Sequence, residues 1–320
     1  NHMDVVPVYL EKWTHPPFGA DLDDEGRIYA RGAQDTKYIG TQYLGAIRAL
    51  KASGYKPKRN IYVTFVPDEE VGGHLGMREF VNGDYFKNLN VGFSLDEGSA
   101  NIDDSYHIYY AERTPGIRFK ISGSAGHGSL LLPNTASEKL NCIVNKLMGF
   151  RATQVKKLQD DADPFIGVVT AVNLTQLSGG VQSNVVPPLL EAVFDMRVAI
   201  DVDIVAFEKQ ILDWCEEAGG GILLDFIRKD EYVPATKVDA SNPFWTAFQQ
   251  ALNELNLKFR PRVCPGATDS RFLRTVGVEA LGFSPMKNFS IIELTHVLIS
   301  ICMVLRLTRK SFQLLPVYKA

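Results

Sequence analysis

The sequence predicts an α/β fold with a mainly parallel sheet, interrupted by an inserted α+β block, and three observations carry this. From Arg27 to Gly98 short apolar runs alternate with helical periods, the texture of a parallel sheet covered by helices. From about Tyr106 the pattern changes to alternating strands interspersed with two helical stretches, an α+β texture. Beyond Tyr232-Val-Pro-Ala the first texture returns. Residues 1–110 and 236–320 are therefore expected to form one domain, and 111–235 a second domain inserted into it.

Each element has its own warrant. Tyr38, Ile39, Tyr43, Leu44, Ile47 and Leu50 recur at helical spacing, and Gly54 closes that helix. Ile61-Tyr-Val-Thr-Phe-Val66 reads as a buried strand stopped by Pro67, followed by a helix over about Leu75 to Val81. Val91-Gly-Phe-Ser-Leu95 is a further apolar strand, ending at Asp96-Glu97-Gly98. In the inserted block Ile117-Arg-Phe-Lys-Ile121 and Glu191 to Arg197 alternate as strands, while Thr135 to Phe150 and Asp203 to Ala218 read as helices, the second broken by Gly219-Gly220-Gly221. A helix near Asn242 to Leu255 and strands around Arg262 and Leu281 complete the pattern.

Composition excludes several classes. The 320 residues are 45% hydrophobic and 22% charged, which rules out disordered, collagen-like and coiled-coil chains. With 34 Lys+Arg against 37 Asp+Glu the net charge is -3, so no basic excess exists to neutralise a nucleic-acid backbone. The longest apolar run, Val297 to Leu305, is far shorter than the roughly 20 residues of a membrane span, so no membrane partner is expected. Cys142, Cys215, Cys264 and Cys302 lie far apart without a CxxC pair, which argues against a disulfide scaffold or a thiolate zinc site and suits a reducing, cytoplasmic setting. The chain begins in what reads as a strand end, and an N-terminal portion of the first domain is expected to precede it.

Four clusters carry chemistry. His2-Met-Asp4, Pro67-Asp-Glu69-Glu70 and Leu95-Asp96-Glu97-Gly98 each follow or form an apolar run, and Asp35 opens the first helix. The carboxyl ends of strands in an open α/β sheet converge on one crevice, so these groups are expected to meet. Taken singly, each has a structural explanation: a helix N-cap, a carboxylate against the helix dipole, a turn. Together they would repel one another unless a cation sat among them. Two divalent ions balance one carboxylate each from Asp35, Glu70 and Glu97 plus a bridging hydroxide. Oxygen and imidazole donors without thiolate suit catalytic zinc. His2 and Asp4 are two apart on a strand, hence on one face, so Asp4 can hold the imidazole; Glu69 is left beside the metals, where a general base belongs.

The longer strings around these clusters are Asp4-Val-Val-Pro7, Ala30 to Asp35, Thr64-Phe-Val-Pro-Asp-Glu-Glu-Val-Gly-Gly73, Leu95-Asp-Glu-Gly98, Gly126-His127, Gly180-Val-Gln-Ser-Asn184, Phe194-Asp-Met-Arg197, Gly266-Ala-Thr-Asp-Ser-Arg271 and Leu281 to Met286. In that order, from residue 1 to about 286, the chain resembles the aminoacylases of the co-catalytic zinc peptidase family, to which carboxypeptidase S also belongs. The resemblance implies a cytosolic, homodimeric hydrolase that splits N-acyl-L-amino acids, with two zinc ions per subunit. It implies His2, Asp35, Glu70 and Glu97 as metal ligands, with Asp35 bridging, Asp4 as the orienting carboxylate and Glu69 as the catalytic base. It also implies that the inserted block is a lid or dimerisation domain, that His127 reaches the partner subunit's active site, and that Asn184, Arg197, Thr268 and Arg271 lie near the substrate. Arg197 carries the guanidinium that a free carboxylate prefers.

After Met286 the likeness stops. The family's last metal-binding histidine has no match in Lys287 to His296; His296 is the one histidine beyond His127, and its spacing and surroundings differ. Residues 301–310, back-translated in another frame, resemble the family's closing helix better, so a shifted reading frame is expected over the tail. The competing readings are a dipeptidase or carboxypeptidase of the same clan, a metal-free hydrolase with a paired-carboxylate mechanism, and a dimerising homologue with impaired catalysis.

Overall fold

A computed structural model of the chain describes residues 1–24, 26–113, 117–225 and 233–287, and the backbone of 302–304. In chain order these form β1 (Asp21–Leu22), β2 (Arg27–Tyr29), α1 (Tyr38–Ala52), α2 (Met77–Asn82), α3 (Asp84–Leu89), β3 (Phe93–Asp96), β4 (Tyr106–Glu112) and β5 (Ile117–Ser122). There follow β6 (Gly126–His127), α4 (Ala136–Asp160), β7 (Ala171–Gly179), β8 (Val185–Val186), β9 (Leu189–Arg197), α5 (Ile204–Glu217) and β10 (Ile222–Asp225). The last elements are α6 (Pro243–Glu254), β11 (Phe259–Cys264), α7 (Ser270–Thr275), β12 (Glu279–Phe283) and β13 (Cys302–Val304). The chain divides into two compact units, one drawn from the described residues of Asn1–Tyr110, Thr236–Pro261 and Thr268–Ala320, the other from those of Ala111–Ala235 and Arg262–Ala267.

The first unit is built on a four-stranded sheet in the order β11-β4-β12-β3. β12 runs parallel to β3, with Leu281 opposite Leu95, and antiparallel to β4, with Phe283 opposite Ile108. The sheet is thus mixed where the sequence predicts a mainly parallel one. The nine residues between β3 and β4 contain no crossover helix, and a strand added as another parallel member needs one. One cluster of buried side chains, Ile108, Trp245, Phe248, Leu252 and Leu281, packs α6 on the sheet; another gathers Val66, Met77, Val81, Phe86, Phe272 and Ala280. α6 starts where Asn242 accepts hydrogen bonds from the Phe244 and Trp245 N–H groups, with Pro243 in the first turn.

Two expectations for this unit are corrected. Ile61 to Val66 is extended but not a ladder strand, and its side chains are not uniformly buried: Ile61 is 54% exposed and only Val66 is in the core. Within this stretch the one bridge is Val66 with His2, and the preceding residues line a cleft of about 770 Å³ with Phe93 and Leu95 across it. Hydrophobicity predicts burial there, but ladder formation needs a neighbouring backbone. The helix expected from Leu75 starts at Met77, because Asp68 accepts from the Leu75 N–H at 2.7 Å and holds 73–76 in a turn, leaving Leu75 exposed.

The second unit is an antiparallel sheet in the order β10-β5-β9-β7, with α4 and α5 packed together and α4 against the strands. β5 alternates buried Ile117, Phe119 and Ile121 with more exposed Arg118 and Lys120, as a strand with one covered face must. Phe119 and Phe194 meet edge to face at 5.6 Å in a core shared with Ile143, Leu147 and Ile211. α4 begins with a capping box, Thr135 and Glu138 bonding each other's backbone N–H. It extends to Asp160, ten residues beyond the expected end, because no Gly or Pro breaks the exposed stretch before Pro164. His296 and the tail after Lys287, apart from the 302–304 backbone, lie outside the described residues. Among the described residues no helix is long and apolar enough to cross a membrane.

Candidate metal centre

Four short segments of the first unit bring the acidic clusters together. The Met3 N–H donates to the Val66 carbonyl at 2.8 Å and the Val66 N–H to the Asn1 carbonyl at 3.1 Å, which sets His2 beside the end of the extended 61–66 stretch. Pro67 stops that stretch, and Glu69–Val71 then makes a single 3-10 turn. The turn closes on Gly72 and Gly73, whose φ values of 110° and 63° are open to glycine and strained for other residues. Glu97 follows the last residue of β3, and Asp35 sits just before α1 with non-helical φ and ψ.

The resulting cluster is tight. His2 Nε2 lies 3.1 Å from Asp35 Oδ1 and 3.5 Å from Glu97 Oε2. One ligand atom each from His2, Asp35 and Glu70 fall within 4.8 Å of one another, and so do those of His2, Glu69 and Glu97. His2 is almost wholly buried, while the Asp35 side chain is 51% exposed. Asp4 links two segments: its carboxylate accepts the Glu69 N–H at 3.2 Å and the Glu70 N–H at 3.1 Å. The His2 Nδ1 lies 3.0 Å from the Asp4 carbonyl and 3.4 Å from its carboxylate, so the main chain of Asp4 is the nearer imidazole partner. The adjacent Asp96 turns the other way, accepting from the Ser270 hydroxyl at 2.9 Å, because successive side chains at a strand end point to opposite faces.

Electrostatics of this cluster call for positive charge. Burial pulls the His2 imidazole down, but the Asp35 and Glu97 carboxylates outweigh it and push it up to about 12. Burial, then the Glu97 charge, raises Glu69 to about 9; burial, then Asp35, raises Glu70 to about 7. Glu97 is raised too, chiefly by burial. Carboxyls this reluctant to ionise near one another, with an imidazole among them and no thiolate, are a donor set that fits zinc or a similar divalent ion.

The other predicted residues are distributed as follows. Thr268 and Arg271 belong to the first unit; His127, Asn184 and Arg197 belong to the second. His127 is exposed, its Nδ1 accepting from the Ser129 N–H at 3.2 Å. Asn184 is exposed, and its carbonyl accepts from the Gly128 N–H at 2.7 Å. The Arg197 Nε donates to Asp195 at 2.9 Å. The Thr268 hydroxyl accepts from the Ser270 N–H at 3.3 Å. Arg271 is buried, its Nη2 donating to the Gly72 carbonyl at 2.7 Å. Two further groups escaped the sequence reading. Asp269 is 2% exposed, with neither carboxylate oxygen hydrogen-bonded, and burial beside Asp96 raises it to about 7. Tyr38 is buried, with its hydroxyl 2.6 Å from Ser284 Oγ, and burial raises it. Asp269 stands within the Gly266 to Arg271 string, yet nothing in a linear pattern tells a buried acid from a solvated one.

Comparison with known proteins gives the family and the fold. The sequence model of Peptidase family M20/M25/M40 matches residues 1–296. Aminoacylase-1A of Rattus norvegicus is 49% identical over 297 residues, covering 92% of this chain and 73% of the rat protein. Aminoacylase-1 of Homo sapiens is 48% identical over the same shares, and that of Dictyostelium discoideum 38% identical over 310 residues, 92% of this chain and 75% of its own. Among solved structures, an M20 family metallo-carboxypeptidase from Sulfolobus solfataricus superposes with a TM-score of 0.61 at 20% identity, covering 88% of this chain and 75% of that one. The dipeptidase Dug1p of Saccharomyces cerevisiae gives 0.63 at 16% identity, over 93% and 74%. At such identities these two structures speak for the fold.

Proposed function

Because the chain belongs to peptidase family M20/M25/M40, we propose that it is a metal-dependent amidohydrolase that splits N-acyl-L-amino acids into a carboxylate and a free L-amino acid. The observation that carries this is identity of nearly one half to aminoacylases over 92% of the chain, with the His2, Asp35, Glu69, Glu70 and Glu97 cluster inside residues 1–296 that the family model matches.

His2, Asp35, Glu70 and Glu97 would hold two zinc ions. Bound there, the ions polarise the amide carbonyl and make water a nucleophile at neutral pH. Glu69 takes the proton from the attacking water, whose oxygen forms the new C–O bond, and returns it to the nitrogen as the C–N bond breaks. Asp4 keeps the imidazole and the 69–71 turn in register. The second unit serves as lid and dimerisation domain, His127 donating to the oxyanion from a second copy of the chain, while Asn184, Arg197 and Thr268 orient the substrate. Arg197 would meet the substrate carboxylate as a bidentate partner. Cys142, Cys215 and Cys264, none of them in a disulfide with another described residue, suit a cytoplasmic setting.

Zinc content and hydrolysis of N-acetyl-L-methionine, measured on the same preparation with and without a chelator, test the proposal. Metal-dependent hydrolysis is expected, with Glu70→Ala losing metal and activity together. Activity that survives chelation overturns it; hydrolysis of dipeptides but not of the acyl amino acid moves the chain to the dipeptidases of the family.

A further inference from the structure

The turn that carries Glu69 and Glu70 ends on two consecutive left-handed glycines, a backbone with more than one accessible path. What holds it from behind is the start of α7. Arg271 is 2% exposed, and its Nη2 reaches the Gly72 carbonyl at 2.7 Å, joining residues 199 apart in sequence. Its guanidinium carbon stands 4.6 Å from the centre of the Phe272 ring. A Cβ at Gly73 would lie 2.3 Å from Asp269 Oδ1 and 2.8 Å from Phe272 Cε2. Asp269, Arg271 and Phe272 therefore back directly onto Gly72 and Gly73. A guanidinium on so buried a residue, bonded to a main-chain carbonyl, is poorly placed to meet a substrate carboxylate.

We infer that Arg271 is a positioning residue for the 69–73 turn, selecting the backbone path that aims Glu69 and Glu70, and not a substrate contact. The inference rests on the proposed roles of Glu69 and Glu70. Misplacement of a reacting or ligating group by about an ångström costs roughly 100-fold, and loss of supporting contacts around metal ligands about 10- to 100-fold in affinity or activity.

The test compares Arg271→Met, which keeps the stem but removes the donor, with Arg271→Lys, which can still donate to the Gly72 carbonyl. Full-length chains are examined for thermal melting, for zinc affinity by titration of the metal-free protein, and for kcat and KM with N-acetyl-L-methionine. Arg271→Met is expected to lower zinc affinity and kcat each by about 10- to 100-fold with KM nearly unchanged, and Arg271→Lys to recover most of both. A tenfold rise in KM with kcat and zinc affinity intact overturns the inference in favour of a substrate contact, and three unchanged values overturn it outright. Should Arg271→Met fail to fold, Arg271→Gln replaces it under the same criteria. Wild-type protein that binds zinc without hydrolysing the substrate sinks the proposed function, while the zinc titrations still decide the role of Arg271.

Discussion

The two units put their buried volume to different uses. The second encloses one continuous apolar core around Phe119, Phe194, Ile143 and Leu147, and keeps ion pairs such as Lys157–Asp201 and Lys209–Asp213 on its surface. In the first, several small apolar clusters surround buried His2, Asp96, Asp269, Arg271 and Arg274. Removing charged or polar groups from water costs free energy unless each finds a partner. The first unit thus gathers buried charged groups into one cluster, whereas the second buries Arg113 and Lys139 singly, each donating to main-chain carbonyls. Changes in the charged cluster of the first should move chemistry and metal binding; changes in the apolar core of the second should move stability.

The sharpest separation is expected from Glu69→Gln, which should lower turnover about 10²- to 10⁴-fold while zinc content and melting temperature stay near wild type. Next, Phe119→Ala in the second core should destabilise that unit by about 3–5 kcal/mol, seen in denaturant unfolding, with zinc affinity unaltered. If zinc affinity falls with it, the two regions are not independent. Asp4→Asn should weaken zinc binding about 10- to 100-fold by calorimetry, since it disturbs both the imidazole and the Glu69 and Glu70 N–H groups. The smallest effect concerns pH. His2 at about 12 and Glu69 at about 9 carry protons at neutral pH, and a bound cation displaces them. Zinc affinity should fall as pH falls, about tenfold per unit for each proton released; calorimetry in buffers of different ionisation enthalpy counts those protons, and zero release contradicts the cluster as described.

How much was legible beforehand follows from which forces are local. α5 and α6 were readable because Asp203 and Asn242 cap amphipathic periods, and both helices start on the residue after the cap. That His2 and the acids would meet was readable because their strings end apolar runs or open a helix, and the fold brings such ends together. Ile61 to Val66 misled because an apolar β-branched run states a preference for burial, whereas a strand exists only where another backbone takes up its hydrogen bonds. For Arg271 the resemblance implies a place near the substrate, and what no linear pattern could show is that it lies buried with its Nη2 on the Gly72 carbonyl.

Residue order alone decided the helix caps, the strand alternation of the inserted block and the chemical identity of the donor set, since these depend on neighbours within a turn or two. Which acid of the Asp96 and Glu97 pair faces the cluster, that Asp4 serves the 69–71 turn as well as His2, and that Asp269 and Arg271 are shut away from water were decided only in three dimensions. Those outcomes depend on the desolvation and mutual charge of groups scores of residues apart, and both quantities exist only once the chain has folded.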